Sequence, residues 1–346
     1  MCKKMKSLIC LISALLIVSL LLAGCGGDSD NNNHTDTENT NNMPVELRLS
    51  YPNTETSLSG QSYNYFAQAV EEESNGTIKV TVYPAGSLAA NTDILDAIQQ
   101  GNVDIGHFVA TYVSPTIKEL TPLEIPGASP SDKYMELDDA THDILDNIFA
   151  KYGVKYLVPI EQGTANFVSV KKMIKSPEDY KDLRVRAAGK WIGEAIKQWG
   201  GSPVTIPLGD LATSLERGTV DAAYCPWTIT GPQKLYETAP NVTFTAIQEA
   251  FGGLIMSQKS WDKLNQDQQE AILRAVDRFK EYSINLANEM KEKFRKDMLD
   301  ANAEIYDLSD AENKAFKEAI RQLIEQSKEI AGPDGEELIK ALDAIQ

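Results

Sequence analysis

Histidine, cysteine and positive charge are all in short supply, and each shortage removes a class of function. The three histidines, His34, His107 and His142, lie at no spacing that suits a zinc site. No GxSxG elbow, P-loop or GxGxxG turn occurs, so the sequence offers no assembled nucleophile, phosphate cradle or dinucleotide site, and neither a metal nor a cofactor is expected. Acidic residues outnumber basic ones by 50 to 33, a net charge of -17. That balance argues against nucleic acid as a partner and serves solubility.

The apolar run from Leu8 to Leu22 follows Lys3, Lys4 and Lys6 and is too short to read as a membrane span, so it reads as a secretory signal. Leu22-Ala23-Gly24-Cys25 resembles the bacterial lipobox, in which small residues precede a cysteine that is lipidated and becomes the mature N-terminus. The expected lipidation site is Cys25, behind a lipoprotein signal peptide of residues 1–24. Loss of the three lysines takes the net charge from -17 to -20. From Gly26 to Asn42 no large apolar residue occurs, so residues 25–44 form a lipidated tether without a core of its own. Cys2 and Cys10 leave with the signal, which leaves Cys225 without a disulfide partner. An exported chain of this kind must be held by ordinary cores, and about 300 residues suit two lobes better than one.

Residues 45–51 alternate like a strand, 57–73 carry Tyr65, Phe66, Ala69 and Val70 at helical spacing, and 77–83 alternate again. A helix at 91–100 and a short strand at 103–105 complete an α/β lobe with largely parallel strands. A second passage repeats the pattern with a strand at 183–187, a helix at 191–199, a strand at 203–206 and a helix at 211–217. AIQQGNVD (97–104) and SLERGTVD (214–221) echo one another, each a helix stopped by Gly and followed by Val-Asp. Open α/β sheets place ligands beyond such strand ends. Between Trp261 and Ala331 there is no Gly or Pro, which predicts a long helix, a break near Asp307 and a new helix capped by Ser309 and Glu312.

The constellation with chemical promise is a cation among aromatic rings. Strand alternation puts Arg184 and Arg186 on one face, with Leu183 and Val185 on the other. A guanidinium suits an organic acid because its planar fork gives a carboxylate two parallel hydrogen bonds and keeps its charge. Phe108 follows the first Val-Asp strand, Tyr224 and Trp227 the second, and Trp191 follows Arg186. Cys225, between Tyr224 and Pro226, has no predicted base and reads as an inert buried thiol.

Four segments carry a family resemblance: EEESNGTIKVTVYPAGSLA (71–89), GNVDIG (101–106), SPEDYKDLRVRAAG (176–189) and ERGTVDAAYCPW (216–227). From Leu47 to about Gln326 the chain resembles the DctP-type solute-binding proteins of TRAP transporters. The resemblance implies a Venus-flytrap, a two-lobed α/β periplasmic-binding-protein fold braced by a long helix. The implied division is 45–163 plus 252–291 for lobe 1 and 164–251 plus 292–346 for lobe 2. It also implies a small organic acid ligand, small and large TRAP membrane subunits as partners, no enzyme activity, and a place at the outer face of the cytoplasmic membrane. Arg186 matches the arginine that grips the substrate carboxylate in the family.

Where many members carry a further arginine this chain reads Thr164-Ala165-Asn166-Phe167, so Asn166 is expected to offer a neutral hydrogen bond. Where many have Gly-x-Glu-Asn-Pro it has Ala222-Ala223-Tyr224-Cys225-Pro226. The expected ligand is therefore a monocarboxylate with an apolar or aromatic body. The expected pocket is Arg186, Asn166, Trp227, Phe108, Trp191, Tyr224, Phe251 and His107. Three alternatives stay open: the receptor of an ATP-driven importer, a ligand-sensing module, and a lipid-anchored hydrolase.

Overall fold

The computed structural model describes residues 44–128 and 133–345. The signal segment, Cys25 and the tether up to Asn42 lie outside the described residues.

Among the described residues eleven strands form two sheets. In chain order they are β1 (Val45–Ser50), β2 (Ile78–Tyr83), β3 (Ile105–Val109), β4 (Val154–Pro159), β5 (Thr164–Ser169), β6 (Arg184–Ala187), β7 (Ser202–Thr205), β8 (Ala222–Pro226), β9 (Asn241–Glu249), β10 (Gly252–Ser257) and β11 (Glu304–Asp307). The first sheet has the order β2-β1-β3-β10-β4 and the second β11-β9-β5-β8-β6-β7.

Each sheet is built on three parallel strands, β2-β1-β3 in the first and β7-β6-β8 in the second, as the α/β pattern predicts. The remaining strands make both sheets mixed. β10 runs antiparallel to β3 and β4, and β5 runs antiparallel to β8 and β9. Each of these strands is fed from the other sheet, because β4 leads into β5 and β9 into β10. The chain therefore crosses between lobes twice within a few residues.

The first lobe shows how local sequence makes its elements. Ser57 caps helix Leu58–Glu73 by accepting from the Gly60 amide. Tyr63, Phe66, Ala69 and Val70 then bury one face against Leu47, Leu49 and Ile78. The helix stops where Asn75 and Gly76 take φ of 51° and 75°.

The Val-Asp echo has a physical basis. Asp104 Oδ2 accepts from both the backbone N and Nε of Arg48 at 2.9 Å, tying β1 to the entrance of β3. Asp221 Oδ2 does the same for Arg184, at 2.9 Å from N and 3.1 Å from Nε, tying β6 to the entrance of β8. In both lobes the main-chain bond runs back as well, from the Asp104 amide to Arg48 and from the Asp221 amide to Arg184.

Two helical spans join the lobes. The 35-residue helix Gln266–Asp300 opens with a capping box of Asn265 and Gln268. It buries Ile272, Ala275, Val276 and Phe279 in the first lobe, then Ala287 and Met298 in the second. The second span corrects the expected division, which gave all of 292–346 to lobe 2. Leu323 packs with the second-lobe core, whereas Leu338 and Leu342 pack with Ile98, Leu120 and Phe149 of the first. The turn between them is at Gly332, whose φ of 66° and ψ of -164° interrupt the helix beside Pro333.

The two aspartate staples yield a stability test. Asp104→Ala leaves the Arg48 backbone N and Nε without their acceptor and should cost about 2 kcal/mol in urea unfolding at neutral pH. Asp221→Ala should also be destabilising. Although burial opposes it, the bonds from Arg48 and Ser260 hold the Asp104 carboxyl below its usual range. Arg184 chiefly does this for Asp221. Lowered folded values mean that this stability is complete above roughly pH 4 and is lost as pH falls through them. Acid unfolding should therefore flatten in the double variant.

Candidate functional site

Strand alternation sorts the second sheet's side chains onto two faces. Phe167, Val185, Ala187 and Tyr224 share one core with Trp191 and Trp199. Val168, Ala223, Cys225 and Trp227 share the other. Arg186 stands opposite Ala223 and Asn166 opposite Cys225, which puts both on this second face.

Arg186 is only 4% exposed. Its sole hydrogen bond among the described residues is from Nε to the Ile206 carbonyl at 3.1 Å, and no described carboxylate pairs with it. Arg184, two residues earlier, is the opposite case. Its Nη2 reaches Asp221 at 2.9 Å, and Lys171 joins the same carboxylate at 2.9 Å. One arginine of β6 is thus spent on the fold and the other is left with unused donors.

Asn166 is fully buried, and neither Oδ1 nor Nδ2 has a hydrogen-bond partner among the described residues. Between the two strands that bear Arg186 and Asn166 lies β8, whose side chains on this face are the small Ala223 and Cys225. The Cys225 thiol lies 3.6 Å from Thr230 Oγ1, and burial pushes it up while the Arg186 charge opposes that rise.

The predicted aromatic residues are not gathered there. Tyr224 and Trp191 lie on the other face, because alternation reverses Tyr224 relative to Cys225. Phe108 and Phe251 pack together in the first-lobe core with Phe149 and Tyr156. His107 faces the other side of the first sheet, where Nδ1 meets Tyr63 Oη. Burial lowers its pKa to about 3, so the ring is neutral, and its Nε2 has no partner among the described residues. Following a strand end is therefore insufficient to place a ring beside Arg186.

Trp227 does share the Arg186 face, and it is also bound up with the crossing segment. Gly163 has φ of 85°, and a Cβ there would sit 2.8 Å from Trp227 Nε1. The other side of the indole meets Phe294 of the long helix at 6.0 Å between ring centres. Leu58, from the first lobe, joins the same cluster. A second approach between the lobes is at Gly189, where a Cβ would lie 2.9 Å from Thr111 Cγ2.

Glu124 also stands where the lobes meet. Its carboxyl bonds Ser114 Oγ, its carbonyl accepts from Gln248 Nε2 at 3.1 Å, and Lys190 faces it from the second lobe. Burial lifts the carboxyl to about 7, against the pull of Ser114, Lys118 and Lys190. Among the described residues no group of three His, Cys, Asp or Glu side chains could hold a metal ion.

The residues that sequence reasoning missed are Ala223 and Cys225, the small floor between the two polar groups. Their signal was present, since alternation from Tyr224 puts Cys225 on the opposite face, but the β5–β8 register that sets it across from Asn166 is not local.

A profile of the bacterial extracellular solute-binding proteins of family 7, DctP, matches residues 49–329. The ectoine-binding periplasmic protein TeaA of Halomonas elongata is 26% identical over 299 residues, covering 82% of this chain and 86% of TeaA. The 2,3-diketo-L-gulonate-binding periplasmic protein YiaO of Escherichia coli is 23% identical, covering 87% of this chain and 92% of YiaO. The monocarboxylate 2-oxoacid-binding periplasmic protein of Nostoc is 30% identical over 161 residues, 45% of this chain and 44% of that protein. A TRAP periplasmic solute-binding protein from Ochrobactrum anthropi, solved with its C-terminus in the ligand-binding pocket, superposes with a TM-score of 0.81 at 22% identity. The match covers 87% of this chain and 96% of that structure.

Two outcomes follow from this geometry. Gly163→Ala combines a left-handed φ with a collision against the indole, and should cost about 1–3 kcal/mol, seen as a lower melting temperature with altered tryptophan fluorescence. For Glu124, a folded value near 7 against an unfolded one of ~4.3 means that the folded protein binds more protons across that window. Stability should therefore fall as pH rises from about 4 to 7, and Glu124→Gln should remove that slope.

Proposed function

This chain belongs to the bacterial extracellular solute-binding proteins of family 7, DctP, and from that premise we propose that it captures a small monocarboxylate by pairing the ligand's carboxylate with Arg186. It is a TRAP-type solute-binding receptor, a periplasmic transport component that works with membrane subunits, and not an enzyme. The relatives differ in what their names say they bind, namely ectoine, 2,3-diketo-L-gulonate, C4-dicarboxylates and 2-oxoacids. Ligand class must therefore be argued from this chain's own site.

The observation that carries the proposal is the isolation of Arg186: a guanidinium removed from water, bonded through Nε to one carbonyl, with no described carboxylate partner. Burying such a charge without an anion is costly. A ligand carboxylate supplies the missing charge and accepts two parallel N–H bonds. Asn166, Cys225, Ala223 and Trp227 add no second cation on this face. That supports one carboxylate and a small body with apolar or aromatic character resting toward Trp227. The same proposal holds the receptor to the outer face of the membrane through lipidated Cys25, on the strength of Leu22-Ala23-Gly24-Cys25.

A thermal-shift screen of the soluble chain from Val45 tests this. A monocarboxylate at ~100 times its Kd should stabilise the protein by about 2.7 kcal/mol. Arg186→Ala should stay folded and lose the shift, with affinity reduced about a hundredfold or more. Arg186→Lys should recover part of it. A dicarboxylate that binds more tightly than every monocarboxylate would refute the ligand class.

A further inference from the structure

Asn166 has two adjacent polar atoms that Arg186 chemistry does not use. Its carboxamide is fully buried, and both its acceptor and its donor lack partners among the described residues. Leaving either unpaired is costly, so a complementary group belongs beside it. The neighbouring strand sets only small side chains beside it. β8 lies between β5 and β6 and shows this face only Ala223 and Cys225. The two polar residues are thus about two strand spacings apart, roughly 10 Å, with small side chains between them.

We propose that Asn166 reads the substituent next to the carboxylate and selects a 2-hydroxy acid. This rests on the assignment of the carboxylate to Arg186. A 2-hydroxy acid presents an O–H donor beside a carboxylate oxygen, matching the amide's Oδ1 acceptor and Nδ2 donor at adjacent positions. A 2-oxo acid offers acceptors alone and leaves Oδ1 buried without a donor. An acid with a methylene at that carbon leaves more unmet. A 2-ammonium group would supply a donor but would bring a second positive charge toward Arg186. Swapping Oδ1 and Nδ2 changes none of this, because both atoms are unpaired.

Titration calorimetry on two matched sets tests the proposal: 2-hydroxy-3-methylbutanoate, 2-oxo-3-methylbutanoate and 3-methylbutanoate, then 3-phenyllactate, phenylpyruvate and 3-phenylpropanoate. In at least one set the hydroxy acid should bind about tenfold or more tightly than its oxo and unsubstituted partners. Asn166→Ala should abolish the preference, so that the hydroxy acid binds no more tightly than the unsubstituted acid in that variant. The comparison within the wild-type protein stands even where that variant does not fold. Acids that bind and depend on Arg186 but show no hydroxyl preference, or a preference that survives Asn166→Ala, would overturn this inference and leave the carboxylate assignment standing. No binding by any of the six, or binding that persists in Arg186→Ala, would overturn both.

Discussion

A buried guanidinium with no counter-ion among the described residues is the constraint around which the second lobe is arranged. Arg186 is held out of water by β6 and its neighbours, and one carbonyl satisfies one of its donors. Its sister Arg184 shows what the same strand does when charge is meant for the fold, since Asp221 and Lys171 complete an ion cluster within two residues. An unmatched buried charge destabilises the protein that carries it, and a receptor can recover that cost when its ligand arrives. Asn166 repeats the logic without charge, and together the two side chains make up the proposed site.

The surrounding fold is two bodies that repeat one plan. Three parallel strands and an arginine–aspartate staple recur in each lobe. β5 and β10 are exchanged across the junction, so each lobe completes its sheet with chain arriving from the other. The long helix Gln266–Asp300 and the interrupted helix Arg321–Asp343 bridge the same junction. With no disulfide among the described residues, the inter-lobe restraint comes from shared sheets and shared helices. Close approaches at Gly163 against Trp227 and Gly189 against Thr111 leave space for hydrogen in place of a Cβ.

Much of this was legible in the sequence because it is local. Alternation located β1, β2 and β6; Ser57, Asn75-Gly76 and the Ser309–Glu312 capping box marked helix ends. The Val-Asp echo pointed to two lobes, and its structural meaning is the staple to Arg48 and Arg184. The proposed site was legible only in part. Arg186 followed from its strand and from a family resemblance, but the selection of neighbours depends on pairing across strands. Phe108, Tyr224 and Trp191 share the strand-end placement that suggested a pocket and nevertheless fill cores: alternation turns Tyr224 to the far face, where Trp191 also packs, and Phe108 is buried in the first lobe. Cys225 is the buried thiol that the sequence suggests, and its place opposite Asn166 is set by the strand pairing. The return of Leu338 and Leu342 to the first lobe was hidden for the same reason, since only tertiary packing decides which core an amphipathic helix covers.

The most direct test is a crystal structure of the protein with the acid that gives its largest thermal shift. The account predicts the ligand carboxylate in a two-bond contact with the Arg186 guanidinium, at about 2.8 Å, above Ala223 and Cys225. A carboxylate held by another cation, with Arg186 still unpaired, would contradict it.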